Sequence, residues 1–295
     1  MSNQNLPIIK ALGLNTQPNE LGAPEGSLAV AENVEITRDG VVQLSPGFED
    51  FSGNLPDFEV QQLFSFGGIS YAITDDGWWY YDTASSTWLR KRGTRGVSIS
   101  TPYWATYSSG HIYVSSGLGV IYDLNLSTGT RSVLAGRLGV TAHTDGTGDA
   151  ARFNEPTGIV SDGTNLYVSE GNNNCIRKVV ISSGVVTTPY GVADPATTSG
   201  HTDGTGNAAR FNIPSGIVSD GTNFYVCDYD NNCIRKVVIS SGVVTTPYGV
   251  ADPATTAAHT DGTGNAARFS RPLGIVSDGT NLYVCDSVNN CGCSC

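Results

Sequence analysis

Apolar and polar residues alternate along this chain in short stretches separated by turn formers. The clearest stretch runs from Gly158 to Tyr190. Gly158–Ser161 (GIVS) reads as a short apolar strand, and Asp162-Gly163-Thr164-Asn165 as a turn in which Gly supplies positive φ. Leu166–Ser169 (LYVS) alternates, and Asn172-Asn173-Asn174 turns the chain again. Ile176–Ile181 (IRKVVI) and Val185–Tyr190 (VVTTPY) flank the turn Ser182-Ser183-Gly184. The pattern predicts four antiparallel strands. Asp145 to Phe153 (DGTGDAARF) is left as a connection, with one helical turn expected at AARF.

The same text recurs. His143–Gly200, His201–Ala258 and the stretch from His259 onward are in register at a period of 201 − 143 = 259 − 201 = 58 residues. So little divergence implies a recent, or still maintained, duplication. A four-stranded sheet of about 40 residues is a propeller blade, so the chain is expected to be all-β, a β-propeller of four-stranded antiparallel blades. Weaker copies of the pattern lie upstream. Pro102–Tyr107, His111–Ser115, Val120–Asn125 and Thr130–Gly136 fit one blade, and Val60–Phe66, Ile69–Thr74, Trp78–Asp82 and Thr87–Arg92 fit another. In the latter, Trp78, Trp79, Tyr80 and Tyr81 read as blade packing rather than a ligand platform.

The pattern DGTGxAARFxxPxGIxxDGTNxYVxDxxNNxIRKV, recurring over residues 143–290, closely resembles bacterial NHL repeats. The resemblance implies propeller blades and leaves function open.

The third repeat reads as only two strands, ending at Cys291-Gly292-Cys293-Ser294-Cys295. An open blade exposes unpaired edges. Val34–Gly47 (VEITRDGVVQLSPG) resembles the repeat's own last two strands (VVISSGVVTTPYG), so Glu32–Ser45 is expected to complete the blade begun by Ser270–Asp286. The count is then five blades, with six as the alternative. The expected organisation is an extended arm at 1–31, a propeller at 32–290 and a Cys-rich tail at 291–295.

Composition refines this picture only slightly. Thirty-six Gly suit many tight turns. The 27 acidic and 16 basic residues leave a net charge of −11, which argues against nucleic-acid binding through a basic surface. It does not argue against a passage through which DNA slides. Residues 1–30 lack the basic start and long apolar core of a signal peptide, and no apolar run reaches the ~18 residues of a membrane helix. A soluble protein made in a cytoplasm, without a membrane anchor, is the expectation.

Residues 10–50 carry a second resemblance. Gly13-Leu14-Asn15-Thr16, Pro18, Leu21, Pro24-x-Gly26, Ala31-x-Asn33-Val34, Asp39-Gly40 and Pro46-Gly47 look like the start of phage tail nozzle and tail hub proteins. Ser45-Pro46-Gly47 stands where an Arg is common in that family. The resemblance implies a virion structural protein in the phage tail, assembled in the host cytoplasm. It implies self-association into a ring, usually hexameric, with portal, adaptor and other tail proteins as partners and DNA only as passing cargo. The alternative is an NHL-type propeller that binds a protein or a glycan.

Candidate chemistry is weighed against inheritance by duplication, because every residue of a copied repeat recurs. His143, His201 and His259 are equivalent. Some NHL-like lyases hold zinc through histidines of different blades, so convergence on one metal is conceivable. Asp145, Asp203 and Asp261 sit in DGTG segments and are expected to make Asx-turns rather than to bind calcium with Asp149 or Asn207. Asp162, Asp220 and Asp278 read likewise. Alternation sends one member of each pair Arg177-Lys178 and Arg235-Lys236 outward and the other towards a neighbouring blade, where a salt bridge is expected. Cys175, Cys233 and Cys291 share one repeat position, and Cys227 and Cys285 another. These read as small buried side chains, and the tail C-x-C-x-C lacks zinc spacing. Asp75-Asp76 reads as a tight turn before Gly77. There is no G-x-S-x-G, H-E-x-x-H or phosphate-binding Gly loop. No catalytic residue, metal site or cofactor is therefore assigned, and no enzyme is expected.

Overall fold

The computed structural model describes residues 34–36, 42–44, 60–66, 69–74, 77–82, 84, 87–90, 102–191, 199–249, 260–288 and 291–294. The arm at 1–31, the pair Asp75-Asp76, His259 and Cys295 lie outside these residues, as do the side chains of 291–294.

Alternating segments become antiparallel strands and the Gly/Asn clusters become turns. Strands β1 (Val34–Ile36) and β2 (Val42–Leu44) form a hairpin. Blade 1 holds β3 (Val60–Phe66), β4 (Ile69–Thr74), β5 (Gly77–Asp82) and β6 (Thr87–Arg90). Blade 2 holds β7 (Pro102–Ser108), β8 (His111–Ser116), β9 (Val120–Asn125) and β10 (Arg131–Gly136). In both, consecutive strands are hydrogen-bonded neighbours.

Blade 3 repeats the order with an addition. The short strand β11 (Gly146–Thr147) pairs with the outer strand β15 (Val185–Gly191), outside β12 (Pro156–Ser161), β13 (Asn165–Glu170) and β14 (Cys175–Val180). Blade 4 is the same five-stranded sheet: β16 (Gly204–Thr205), β17 (Pro214–Ser219), β18 (Asn223–Asp228), β19 (Cys233–Val238) and β20 (Val243–Tyr248). The connection expected to be irregular thus adds a strand to the blade it precedes. The single helical turn falls at Gly148–Ala150, earlier than AARF, because Phe153 is needed in the core and Arg152 bridges to Thr144.

Blade 5 contains β21 (Pro272–Ser277), β22 (Leu282–Asp286) and β23 (Cys291–Ser294). The third strand, expected to be missing, is therefore present. Asp286 pairs with Cys291 in the register that joins Glu170 to Cys175 and Asp228 to Cys233. A ladder needs only backbone groups, so the CGCS sequence serves where CIRK stands elsewhere. Among the described residues, no ladder joins β1–β2 to β23. The hairpin is observed, whereas the expected closure of the last blade by the N-terminal strands is not among the pairings.

The core lies between blades rather than within them. Ile73 and Trp78 of blade 1 pack against Ile112, Val114 and Tyr122 of blade 2. Tyr113 and Ile121 of blade 2 meet Phe153, Ile159 and Val168 of blade 3. Tyr167, Ile176 and Tyr190 continue to Phe211, Ile217 and Phe224, and Cys227 and Ile234 continue to Phe269, Ile275 and Val284. The inner strands are also tied directly. Thr157 Oγ1 donates to the Pro214 carbonyl at 3.3 Å, and Ser215 Oγ donates to the Leu273 carbonyl at 2.9 Å. Gly158 is required at this seam, since a Cβ there would stand 2.4 Å from the Ser215 carbonyl oxygen. Trp78 and Trp79 are buried, and Trp88 meets Tyr81 edge-on at 5.6 Å, as expected of blade packing. The molecule is an all-β propeller of antiparallel blades, and five blades fit the described sheets.

Candidate functional site

Blades 3 and 4 each carry one dense cluster of ionisable groups. In blade 3 it forms around Arg177, which alternation along β14 turns inward until no part of its side chain is exposed. Burying an unpaired guanidinium is costly, so partners are obligatory. Nη1 donates to Glu170 Oε2 at 2.7 Å and to the Arg152 carbonyl at 3.0 Å. Nη2 donates to Asp145 Oδ1 at 2.8 Å and to the Thr144 carbonyl at 3.0 Å. The guanidinium also stacks 5.0 Å from the centre of the Phe153 ring. Blade 4 repeats the arrangement, with Arg235 bound to Asp228 at 2.8 Å and to Asp203 at 3.0 Å, over Phe211.

The carboxylate at 170 is equally well supplied. Glu170 Oε1 accepts from the Asn154 backbone and from Asn173 Nδ2, each at 2.5 Å, and Cys175 Sγ donates to Oε2 at 3.5 Å. Burial pushes the Glu170 carboxyl up from the usual range, while Arg177 and these donors pull it back. The cluster fastens the connection to its blade: residues 144, 145 and 152 are bound to a strand about thirty residues further on.

Several expectations are corrected here. Arg177 and Arg235 find their partners in their own blade and its preceding connection, not in a neighbouring blade. Asp145 and Asp203 do not make Asx-turns. Their Oδ1 atoms accept from the buried Arg and from Thr188 or Thr246 Oγ1, each at 2.9 Å. The Asx-turns belong to Asp162, Asp220 and Asp278. Asp162 Oδ1 accepts from the Thr164 and Asn165 backbones at 2.8 and 2.6 Å. Burial alone would raise its carboxyl, but the bonds from Asn165 and Thr164 outweigh it and hold the group at about 2.

The two described repeat histidines, His143 and His201, do not converge. His143 Nε2 bonds Thr188 Oγ1 at 3.2 Å and His201 Nε2 bonds Thr246 Oγ1 at 2.9 Å, so each stays on the outer strand of its own blade. Burial, with Arg235 nearby, lowers the basicity of His201.

Among the described residues one group has metal-ligand types close together: His143, Glu170 and Cys175 offer ligand atoms within 4.8 Å of one another. The chemistry does not suit a cation. Glu170 already holds the Arg177 guanidinium, and burial pushes the Cys175 thiol far up, keeping it protonated. Cys175, Cys227 and Cys233 are buried, as expected of small core side chains. Sequence reasoning missed Glu170, Asp228 and Asp286. An acid at the same repeat position in all three copies, seven residues before the Arg in two of them, was the available signal.

No family model and no curated protein matches this chain. Solved structures do. A protein of unknown function from Bacteroides thetaiotaomicron is similar at a TM-score of 0.64 and 20% identity, over 87% of this chain and 61% of that one. An auxiliary nutrient binding protein from Bacteroides ovatus is similar at a TM-score of 0.59 and 20% identity, over 88% and 63%. A streptogramin B lyase is similar at a TM-score of 0.53 and 14% identity, over 99% and 84%. The chain thus spans about three-fifths of the length of the two Bacteroides proteins. At these identities the likeness concerns the fold, and it is to β-propellers. None of the three is described as a phage tail protein. No helix among the described residues is long and apolar enough to cross a membrane.

Proposed function

We propose that this chain is a propeller binding module, which presents loops at one end of its blades to a protein or glycan ligand. The observation that carries the reading is the fate of the repeated chemistry. In blades 3 and 4 the Arg, the acids and the Thr beside the His are consumed in fastening the connection to the blade. What the repeats leave to the surface is a set of short loops on a rigid scaffold, the usual arrangement for recognition. The similar Bacteroides ovatus protein is described as nutrient-binding, one use to which such a scaffold is put. The test is direct. The purified full chain, applied to arrays of oligosaccharides and of displayed peptides, is expected to retain at least one ligand saturably. Absence of saturable binding on both arrays would overturn the reading.

A role as a phage tail nozzle or hub subunit, with a hexameric ring, tail-protein partners and a virion location, rests on the sequence of residues 10–50. Of these the structure describes only β1 and β2, and no feature of the propeller adds support. Electron microscopy of the purified chain tests it, since that role requires a ring, usually six-fold.

A further inference from the structure

The three repeat copies differ in few positions, and most of these cluster, with Asp149/Asn207 in the connection as an exception. Between 201–233 and 259–291 six residues change: Asn212/Ser270, Ile213/Arg271, Ser215/Leu273, Phe224/Leu282, Tyr229/Ser287 and Asp230/Val288. Phe224/Leu282 is a core exchange. The other five lie at one end of the blades, where the inner strand starts and the loop after the second strand turns. Backbone bonds hold the two segments together: Tyr229 N to the Ile213 carbonyl and Asp230 N to the Asn212 carbonyl, repeated as Ser287 N to Arg271 and Val288 N to Ser270. The first copy contributes Glu155 and Gly171 to the same places, with Gly171 N bonded to the Glu155 carbonyl.

Exposure alone does not explain the clustering. The turns at the opposite end are at least as solvent-exposed yet unchanged: Asp162–Asn165, Asp220–Asn223 and Asp278–Asn281 are identical, as are Ser182-Ser183 and Ser240-Ser241. The character of the changes differs too. Core exchanges are mild, such as Leu166/Phe224 and Ser169/Cys227. At this end one position runs Glu155, Ile213, Arg271, from acid through apolar to base, and another runs Gly171, Tyr229, Ser287. The first position is held at φ of 58°, 54° and 57°. Glycine would meet that backbone without strain, and a β-branched Ile is the poorest choice. Side chains are kept there at a conformational cost, which favours function over folding as the reason.

The loops form one surface. Ile213 N donates to Asn174 Oδ1 of the preceding blade at 2.8 Å, and Arg271 N donates to Asn232 Oδ1 at 2.8 Å. A Cβ added at Gly171 would touch Ile213 Cγ2 at 3.5 Å. Across it run an acid at blade 3, Ile213 and Tyr229 at blade 4, and Arg271 with the exposed Val288 at blade 5.

Resting on the binding-module reading, we infer that this end of blades 3 to 5 is the recognition surface. It is built on Glu155, Ile213, Tyr229, Asp230, Arg271 and Val288, and its occupant is a peptide segment of a partner protein. That segment sets apolar side chains over Ile213 and Val288, a base towards Glu155 and an acid towards Arg271. Tyr and Arg among aliphatic residues make a protein interface. A sugar would need an open aromatic face, but the guanidinium of Arg271 covers the Tyr229 ring at 5.5 Å and is pinned by Asp230 at 3.5 Å. Net charge of −11, with Arg271 the exposed Arg among these residues, does not suit nucleic acid.

A random linear-peptide library displayed on yeast and selected against the full chain tests this. Selected peptides are expected to protect the backbone amides of 155, 171, 213, 229, 271 and 287 from hydrogen exchange. The triple variant Ile213→Arg, Tyr229→Ser, Asp230→Val moves the third copy's residues onto blade 4, where the fold already accepts them. It should keep its melting temperature and lose about tenfold or more in affinity. The control Ser182→Ala with Ser240→Ala, at the opposite end, should lose nothing. Peptides that bind the opposite end or the outer strands would overturn the surface while leaving the binding-module reading intact. An oligosaccharide that binds this surface, and is lost in the triple variant, would overturn the peptide. A failure of both arrays to yield a ligand would overturn the surface together with the binding-module reading.

Discussion

Blades 2 and 3 have the same strand order and opposite interiors. Tyr122 on β9 pairs with Val114, as Arg177 on β14 pairs with Val168. Ser116 stands opposite Val120, as Glu170 stands opposite Cys175. Blade 2 therefore fills with an aromatic ring the place where blade 3 holds an ion pair. Tyr122 is 2% exposed and Arg177 0%. The ion pair is thus not what makes a blade. The apolar alternation shared by both makes it, and the pair adds the fastening of the connection that carries β11.

The largest expected effect breaks that pair on one side only. Arg177→Met strands the buried Glu170 carboxylate and should cost about 3–5 kcal/mol, read from the urea midpoint at unchanged slope. The double variant Arg177→Tyr with Glu170→Ser copies blade 2 into blade 3 and should recover more than half of that loss. A double variant no better than the single one would break the equivalence of the two blades.

What the blades share is tested next. Gly136 and Gly191 end the fourth strands of blades 2 and 3 with φ of 91° and 90°. A Cβ would stand 2.2 Å from the Gly119 carbonyl oxygen in one and 2.9 Å from that of Asn174 in the other. Gly136→Ala and Gly191→Ala should each cost about 1–3 kcal/mol in the same assay. Only one of them doing so would mean that the blades end differently.

A smaller effect follows from the Asx-turn of the repeat. The folded carboxyl of Asp162 titrates at about 2, below its unfolded value. Its contribution is present above the unfolded value near pH 4 and is lost as pH falls through the folded one. The group is exposed, so screening limits Asp162→Asn to about 1 kcal/mol at neutral pH. The difference from the parent should vanish on acid titration to about pH 2. The smallest effect is Leu166→Phe, which places the blade 4 residue in blade 3 and should shift stability by under about 1.5 kcal/mol in calorimetry.

Apart from the short strands β11 and β16, the strands of blades 1 to 4 were legible in the sequence almost to the residue, because period-two alternation and Gly-bearing turns are local signals. The repeat also implied equivalent environments for His143 and His201, for Arg177 and Arg235, and for Asp145 and Asp203. The candidate site was much less legible. Asp145 reads locally as a turn former, yet its carboxylate serves an Arg 32 positions away. The recurrence of His143 and His201 left a shared site open, yet each is held by a Thr on its own outer strand.

The sequence by itself determined an all-β chain, a 58-residue unit and the turn chemistry of Asp162, Asp220 and Asp278. Each depends on neighbours in the chain and on steric preferences that act over a few residues. Tertiary structure alone decided which face of β14 turned inward, which acid paired with Arg177, and that CGCS became a third strand in blade 5. It also brought most of the divergent positions of three copies onto one end of the blades. Alternation states that successive side chains point to opposite faces, but not which face another blade covers. That is fixed only when blades pack, and packing makes a buried cation choose its carboxylates by distance in space rather than along the chain.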